Sequence, residues 1–263
     1  MKLIRNKNIE YYQFESFDSN LITHGVFTRK GGVSPAPWSS LNQGGTVGDL
    51  RENVVENRRR VFKVFKRPVE SIFDVWQVHG TDVVCTQHAR PLDVDHIKAD
   101  AIVTDSPDVT LFMRFADCVP ILIYDPNKKI AAIIHAGWQG TVNKIIMHTL
   151  RKLQDQYQCD PKTLISAIGP SIGVCHYQVG IEVAMAVRES FGGVSETLLI
   201  QREGKTYFDL WKANETLLRT GGVSSVEIAN LCTACHTDDW YSHRAEAGKT
   251  GRFCAVLFLN KEG

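Results

Sequence analysis

No stretch of the sequence reaches the roughly 18 consecutive apolar residues of a membrane-spanning helix, which excludes an integral helical membrane protein. The opening residues, Met1-Lys2-Leu3-Ile4-Arg5-Asn6-Lys7, lack the apolar core of a secretory leader, so a cytoplasmic location is expected. Excess charge is missing as well. With 30 Lys+Arg against 29 Asp+Glu, the net charge of +1 supplies no attractive field for nucleic acid or an anionic membrane. The basic run Arg58-Arg59-Arg60 falls on an amphipathic helical stretch and reads as a solvated face. A disulfide framework is also absent: the seven cysteines are odd in number and scattered, in a chain long enough to be stable without staples. Most are expected to be buried thiols or ligands. Internal repeats, low-complexity tracts and obvious linkers are wanting, and the length of residues 1–263 leaves one large core or two tightly fused halves open.

What the sequence does have is apolar periodicity. Val54, Val55, Arg58, Val61, Phe62 and Phe65 keep near-helical spacing, predicting a helix that starts near Asp49 and ends near Phe65. Further helices are predicted over 141–156, 179–191 and 209–219. Strands are predicted over 25–28, 73–78, 82–86, 101–103, 110–114, 120–124, 130–134, 164–168, 226–230 and 253–259. Strand-rich segments early and strand–helix alternation later predict an α/β (α+β) fold with mixed sheets covered by helices. Residues 29–49, dense in Gly, Pro and Ser, make an irregular segment of a length that is usually functional or disordered. Trp38 and the Leu41-Asn42 pair argue against disorder.

Three strand ends share one design. "WQVHGTDV" stops at His79-Gly80, "MRFADCVPIL" is interrupted by Asp117-Cys118, and "AAIIHAGW" stops at His135, with Gly137 following. Each offers a thiol or imidazole where a strand ends, and in two of them a glycine allows close approach. Two histidines and a cysteine are three protein ligands with a fourth position free, the pattern of catalytic rather than structural zinc. Thiolate with imidazole favours zinc, then copper. The separations of 39 and 17 residues match no short regular motif. The same atoms also permit a metal-independent cysteine hydrolase, with Cys118 as nucleophile, His135 as base and Asp117 or Gln77 as helper.

Other segments carry weaker signals. "CTACH" holds Cys232, Cys235 and His236 in a C-x₂-C spacing, but no second half of a four-ligand site follows it. It is read as a loop with two thiols. His24, His88, His96 and His148 lack convergent context. "YSHRAEAGKTGR" offers Arg244 and Arg252 to an anion, without the spacing of a P-loop.

Taken together, "WQVHGTDV", "FADCVPIL", "IIHAGWQGT", "AIGPSIGVCHYQVG" and "YSHRAEAGKTGR" resemble the YfiH/YlmD family, once called laccase-domain or polyphenol oxidase proteins. "GVFTRKGGVSPAPWSSLNQGGTVGD" and "VVENRRRV" fit the same pattern, so the resemblance covers nearly the whole chain. It implies a single domain with mixed sheets between helical layers, and one zinc per chain on His79, Cys118 and His135. It also implies phosphorolysis of adenosine, inosine, guanosine and 5′-methylthioadenosine, together with adenosine deamination. A copper oxidase is the older implication. Deamination needs an acid/base, and Asp117 is the carboxylate nearest in sequence to Cys118. Phosphorolysis needs contacts to phosphate and ribose, for which Arg244, Arg29, Asn42 and Gln77 are the candidates. Two departures stand out. His243 and Ala245 flank Arg244 where a second arginine is expected, and His176 stands where a second cysteine is common. His176 is not read as a ligand.

Overall fold

Along the strand Ile130–Ala136, Ile130, Ala132, Ile134 and Ala136 face one apolar cluster, while Ala131 and Ile133 face another. A strand buried on both faces in this way lies inside a layered structure. The computed structural model describes residues 1–261 and contains two six-stranded sheets packed face to face. The first runs in the order Lys2–Asn6, Ile9–Gln13, Ile22–Phe27, Phe253–Leu259, Thr110–Phe115 and Ile72–Phe73. The second runs Ser225–Ile228, Ile165–Ile168, Val119–Asp125, Ile130–Ala136, Ala101–Thr104 and Val83–Thr86. Both mix parallel and antiparallel pairs.

Helices close the outer faces. Arg51–Val64 buries Val61 and Phe62 against the outer side of the first sheet. Ile145–Tyr157, Ile181–Phe191 and Leu210–Thr220 cover the outer side of the second. The result is the α/β arrangement, helices outside and mixed sheets inside, that the alternation predicted. A small third sheet joins Gln178–Val179, Lys205–Phe208 and Leu199–Arg202.

Local differences have local causes. The helix expected over 141–156 is two helices, Trp138–Val142 and Ile145–Tyr157, because Lys144 takes a left-handed conformation (φ 63°) between them. The strand expected over 73–78 is only Ile72–Phe73. There Asp74 turns inward to pair with Arg90 at 2.8 Å and Arg114 at 3.4 Å, since a buried carboxylate must be paired. Two hairpins were not predicted, Lys2–Asn6 with Ile9–Gln13 and Leu199–Arg202 with Lys205–Phe208. Their strands are partly exposed and polar, and lack the continuous apolar run of the central strands. All seven cysteines are free thiols. Among the described residues no helix is long and apolar enough to cross a membrane.

Candidate metal centre

The chain passes from the first sheet to the second at two places that matter for the site. One is the turn 116–118, between Thr110–Phe115 and Val119–Asp125; the other is the segment 74–82, between Ile72–Phe73 and Val83–Thr86. Cys118 ends the first crossing and His79 lies in the second. His135, one residue from the end of its strand, falls on the face shared by the two sheets, with its ring 5.6 Å from that of Phe115. The end of the sandwich thus gathers three segments remote in sequence.

Ligand atoms of His79, Cys118 and His135 all lie within 4.8 Å of one another. The Cys118 Sγ is 3.7 Å from the His79 Nε2, and the two imidazole rings meet edge to face at 4.9 Å. His135 is buried, Cys118 half-buried and His79 exposed, so the cluster is closed on the protein side and open toward solvent. Gly137 is what leaves the space: a Cβ there would stand 2.9 Å from Cδ2 of His79 and 3.0 Å from Sγ of Cys118. Soft and nitrogen donors, their convergence and this cradle fit a metal ion with one position left free.

Asp100, which the sequence reading missed, organises the cluster. Its Oδ1 accepts from Nδ1 of His135 at 2.8 Å and from the backbone N–H of His79 at 3.0 Å. Its Oδ2 accepts from the N–H groups of Val78 (3.2 Å) and Gly80 (2.7 Å). The backbone N–H of His135 also donates to the Asp100 carbonyl at 2.8 Å. Fixing Nδ1 as the donor leaves Nε2 of His135 as the lone-pair end, the usual arrangement of a carboxylate behind a metal-binding histidine. The only sequence signal was an acidic residue heading the apolar strand Ala101–Thr104. Burial works against the Asp100 charge, but the bond to His135 and the surrounding N–H groups outweigh it and hold the carboxyl below its usual range. Burial likewise opposes charge on Cys118 and His135. Each nevertheless favours the charged form of the other, with the Cys118 thiol pulled down and the His135 imidazole raised.

The remaining expected site residues are placed differently. Asp117, with φ 81°, accepts from Thr233 Oγ1 at 2.6 Å and from the Arg244 N–H at 2.7 Å, one bond on each carboxylate oxygen. It therefore ties two loops together beside Cys118 rather than presenting a free carboxylate. Gln77 clamps both the N–H (3.0 Å) and the carbonyl (2.8 Å) of Arg114, which fixes the segment leading to His79. Asn42 is fully buried; it donates to Asp49 and Gly44, and accepts from the N–H groups of Gly44 and Arg252. Arg29 donates to the carbonyls of Ser39 and Thr237 and to Glu246, and lies 4.4 Å over the Tyr241 ring. Each of these three is hydrogen-bonded within the chain itself.

Arg244 is exposed. It donates to the carbonyls of Gln178 (2.7 Å) and His176 (3.4 Å) and lies 5.3 Å over the Tyr177 ring. Burial lowers the pKa of Arg252 while the charges of Cys118 and Asp117 favour its cation, which puts a second guanidinium in the electrostatic reach of the cluster. Trp138 packs with the helix-side core. The C-x₂-C pair Cys232/Cys235 is not an isolated loop feature. Cys175 and His176 stand against it, and the four donors form a second cluster.

The family profile described as "Multi-copper polyphenol oxidoreductase laccase" matches residues 23–260. Over 243 residues the chain is 37% identical to a Deinococcus radiodurans protein named purine nucleoside phosphorylase, covering 92% of this chain and 91% of that one. A Geobacillus stearothermophilus protein named purine nucleoside phosphorylase YlmD is 35% identical over 249 residues, with 90% of each chain covered. The crystal structure of YlmD from Geobacillus stearothermophilus superposes with a TM-score of 0.92 at 31% identity, over 98% of both chains. That of the Bacillus licheniformis hypothetical protein YfiH gives 0.89 at 29% identity, over 97% of both.

Proposed function

The chain belongs to the multi-copper polyphenol oxidoreductase laccase family, the family of YlmD and YfiH, and from that membership we propose that it is a zinc-dependent purine nucleoside phosphorylase that also deaminates adenosine. The proposed substrates are adenosine, inosine, guanosine and 5′-methylthioadenosine, with phosphate as the second reactant. The observation that carries the reading is the cluster of His79, Cys118 and His135, open on one side, in a chain whose relatives bear the phosphorylase name.

His79, Cys118 and His135 are the proposed zinc ligands. When bound, zinc supplies a Lewis acid and a water whose pKa is lowered toward about 7. Asp100 holds the imidazole of His135 with its Nδ1 proton fixed, and it holds the peptide of His79 in place. Cys118 and His135 remain the proposed catalytic pair at the reacting centre. Asp117 is assigned a positioning role, since it keeps the Thr233 and Arg244 loops beside Cys118. Arg244 and Arg252 supply the cationic groups that a phosphate nucleophile requires, and two guanidiniums bind phosphate better than one point charge does. Tyr177, stacked with Arg244, offers an aromatic wall to the nucleoside.

Protein prepared without added metal is expected to carry zinc, to release adenine from adenosine only when phosphate is present, and to form inosine without it. Chromatography of the products with elemental analysis of the same sample reads all three. A second reading rests on one geometric fact: Asp100, His135 and Cys118 stand in the order carboxylate, imidazole, thiol, the order of a cysteine nucleophile with its base and orienting acid. Undiminished turnover by metal-free protein, with covalent labelling of Cys118, would replace the zinc reading with that one. Oxygen uptake with phenols and no nucleoside turnover would favour copper.

A further inference from the structure

Away from the His79–Cys118–His135 cluster, two tight turns bring four soft donors together. The turn after Gly173 presents Cys175 and His176, its backbone closed by His176 N–H donating to the Gly173 carbonyl at 3.0 Å. The C-x₂-C turn presents Cys232 and Cys235, closed by Cys235 N–H donating to the Cys232 carbonyl at 3.2 Å. Nδ1 of His176 lies 3.3 Å from Sγ of Cys175, 3.3 Å from Sγ of Cys235 and 3.8 Å from Sγ of Cys232. The Sγ atoms of Cys175 and Cys235 are 3.5 Å apart.

These are four of the six edges of a small tetrahedron, all of whose donors lie within 4.8 Å of one another. A zinc ion with bonds of about 2.3 Å to sulfur and about 2.05 Å to nitrogen would separate its ligands by about 3.8 Å (S to S) and about 3.6 Å (S to N). A disulfide would instead need its sulfurs at about 2.05 Å. A second feature is independent of the donor set. The backbone N–H of Gly173 donates to Sγ of Cys232 at 3.2 Å, from the turn that carries the other two donors. That bond holds the Cys232 sulfur against the turn bearing Cys175 and His176.

We propose that Cys175, His176, Cys232 and Cys235 form a second metal site, a closed Cys₃His site for zinc with no position left for substrate. Its role is structural. It joins residues 173–176 to residues 232–235, next to the bridge between Ser171 and Cys232. Both turns border the Asp117 loop: Ile172 N–H donates to the Asp117 carbonyl at 3.0 Å, and Thr233 donates to its carboxylate. The carbonyl of His176 also accepts from Arg244. Metal at the second site therefore fixes the wall on which Asp117 and Arg244 stand. The sequence conceals this site because its halves lie about 60 residues apart.

The test is metal content by elemental analysis of the full chain, purified anaerobically with reductant. Four proteins are compared: the parent, Cys118→Ala, Cys175→Ser/Cys235→Ser, and the combined triple variant. About two zinc ions per chain are expected in the parent, about one in Cys118→Ala, about one in the double variant and none in the triple, because a closed four-donor site does not survive loss of two thiolates. The fall from parent to Cys118→Ala measures the first site alone, and the fall from Cys118→Ala to the triple variant measures the second alone. The nucleoside reading and this one thus fail separately. Circular dichroism and gel filtration check folding. Cobalt titration of metal-stripped Cys118→Ala protein reads the second site with its donors intact, and is expected to give thiolate-to-cobalt charge-transfer absorption. Absence of that absorption overturns the proposal. So does zinc content unchanged by Cys175→Ser/Cys235→Ser, or a reductant-sensitive loss of two hydrogens in the intact mass that localises to Cys175 and Cys235.

Discussion

Asp100 and Gly137 are the two residues on which the three-donor cluster turns, and neither is a donor. The Asp100 carboxylate accepts four hydrogen bonds, from the imidazole of His135 and from the three successive N–H groups of residues 78–80. In Asp100→Asn one oxygen becomes a donor facing donors. Metal affinity is expected to fall about 10–100-fold, the usual consequence of removing the carboxylate behind a ligand histidine. A chelator-competition titration reads this, and an unchanged dissociation constant would show that Asp100 does not orient the cluster. At Gly137 the backbone (φ −75°, ψ 177°) is open to any residue, so Gly137→Ala tests space alone. Its Cβ would press on His79 and Cys118, and the variant is expected to lose most of its bound metal and turnover while remaining folded. Gly45→Ala, with nothing within 4 Å of the new Cβ, is the matched control.

At the scale of the element, the strand Ile22–Phe27 contains a titratable group with a consequence for stability. His24 is buried with its Nε2 accepting the Phe14 N–H at 2.7 Å, and its ring lies against those of Phe14 and Phe17. Burial holds its pKa down to about 4, against 6.5 for the free group. The folded chain therefore refuses a proton that the unfolded chain accepts. Stability from this source is complete above about pH 6.5, is lost as pH falls toward 4, and is level below that. The loss amounts to roughly 3 kcal/mol, by the relation of about 1.4 kcal/mol per unit. Urea midpoints of the parent and His24→Gln at pH 7 and pH 4.5 check it, since glutamine keeps an acceptor and cannot titrate. Equal pH sensitivity in both would refute it. The element scale also explains the misread helix over 141–156: apolar spacing persists across the break, while Lys144 in a left-handed conformation separates Trp138–Val142 from Ile145–Tyr157.

At the scale of the whole molecule, His79 and Cys118 lie on crossings between the sheets and His135 on a strand of the second sheet. A metal held by all three closes the end of the sandwich, and ligand binding to the folded state alone raises stability by mass action. With free zinc at 100 times the dissociation constant the gain is about 2.7 kcal/mol. For a chain of this size that corresponds to roughly 5–10 °C in Tm. Scanning calorimetry at graded free zinc is expected to show Tm rising with zinc in the parent, and rising less in Cys118→Ala. A slope unaltered by Cys118→Ala would mean that the stabilising metal sits elsewhere. The amino-acid sequence by itself determined the central strands, the strand–helix alternation and the three strand-end donors, because apolar runs and the residues that stop them are local properties of the chain. The tertiary structure alone decided the rest. Asp100 became the partner of His135 only when neighbouring strands were paired. Asn42, Gln77 and Arg29 were claimed by carbonyls and N–H groups that no linear spacing reveals. Cys175 and His176 met Cys232 and Cys235 only when two distant turns were folded side by side. Hydrogen bonds and metal ligands are chosen by proximity in space, and that proximity exists only once the sheets have closed.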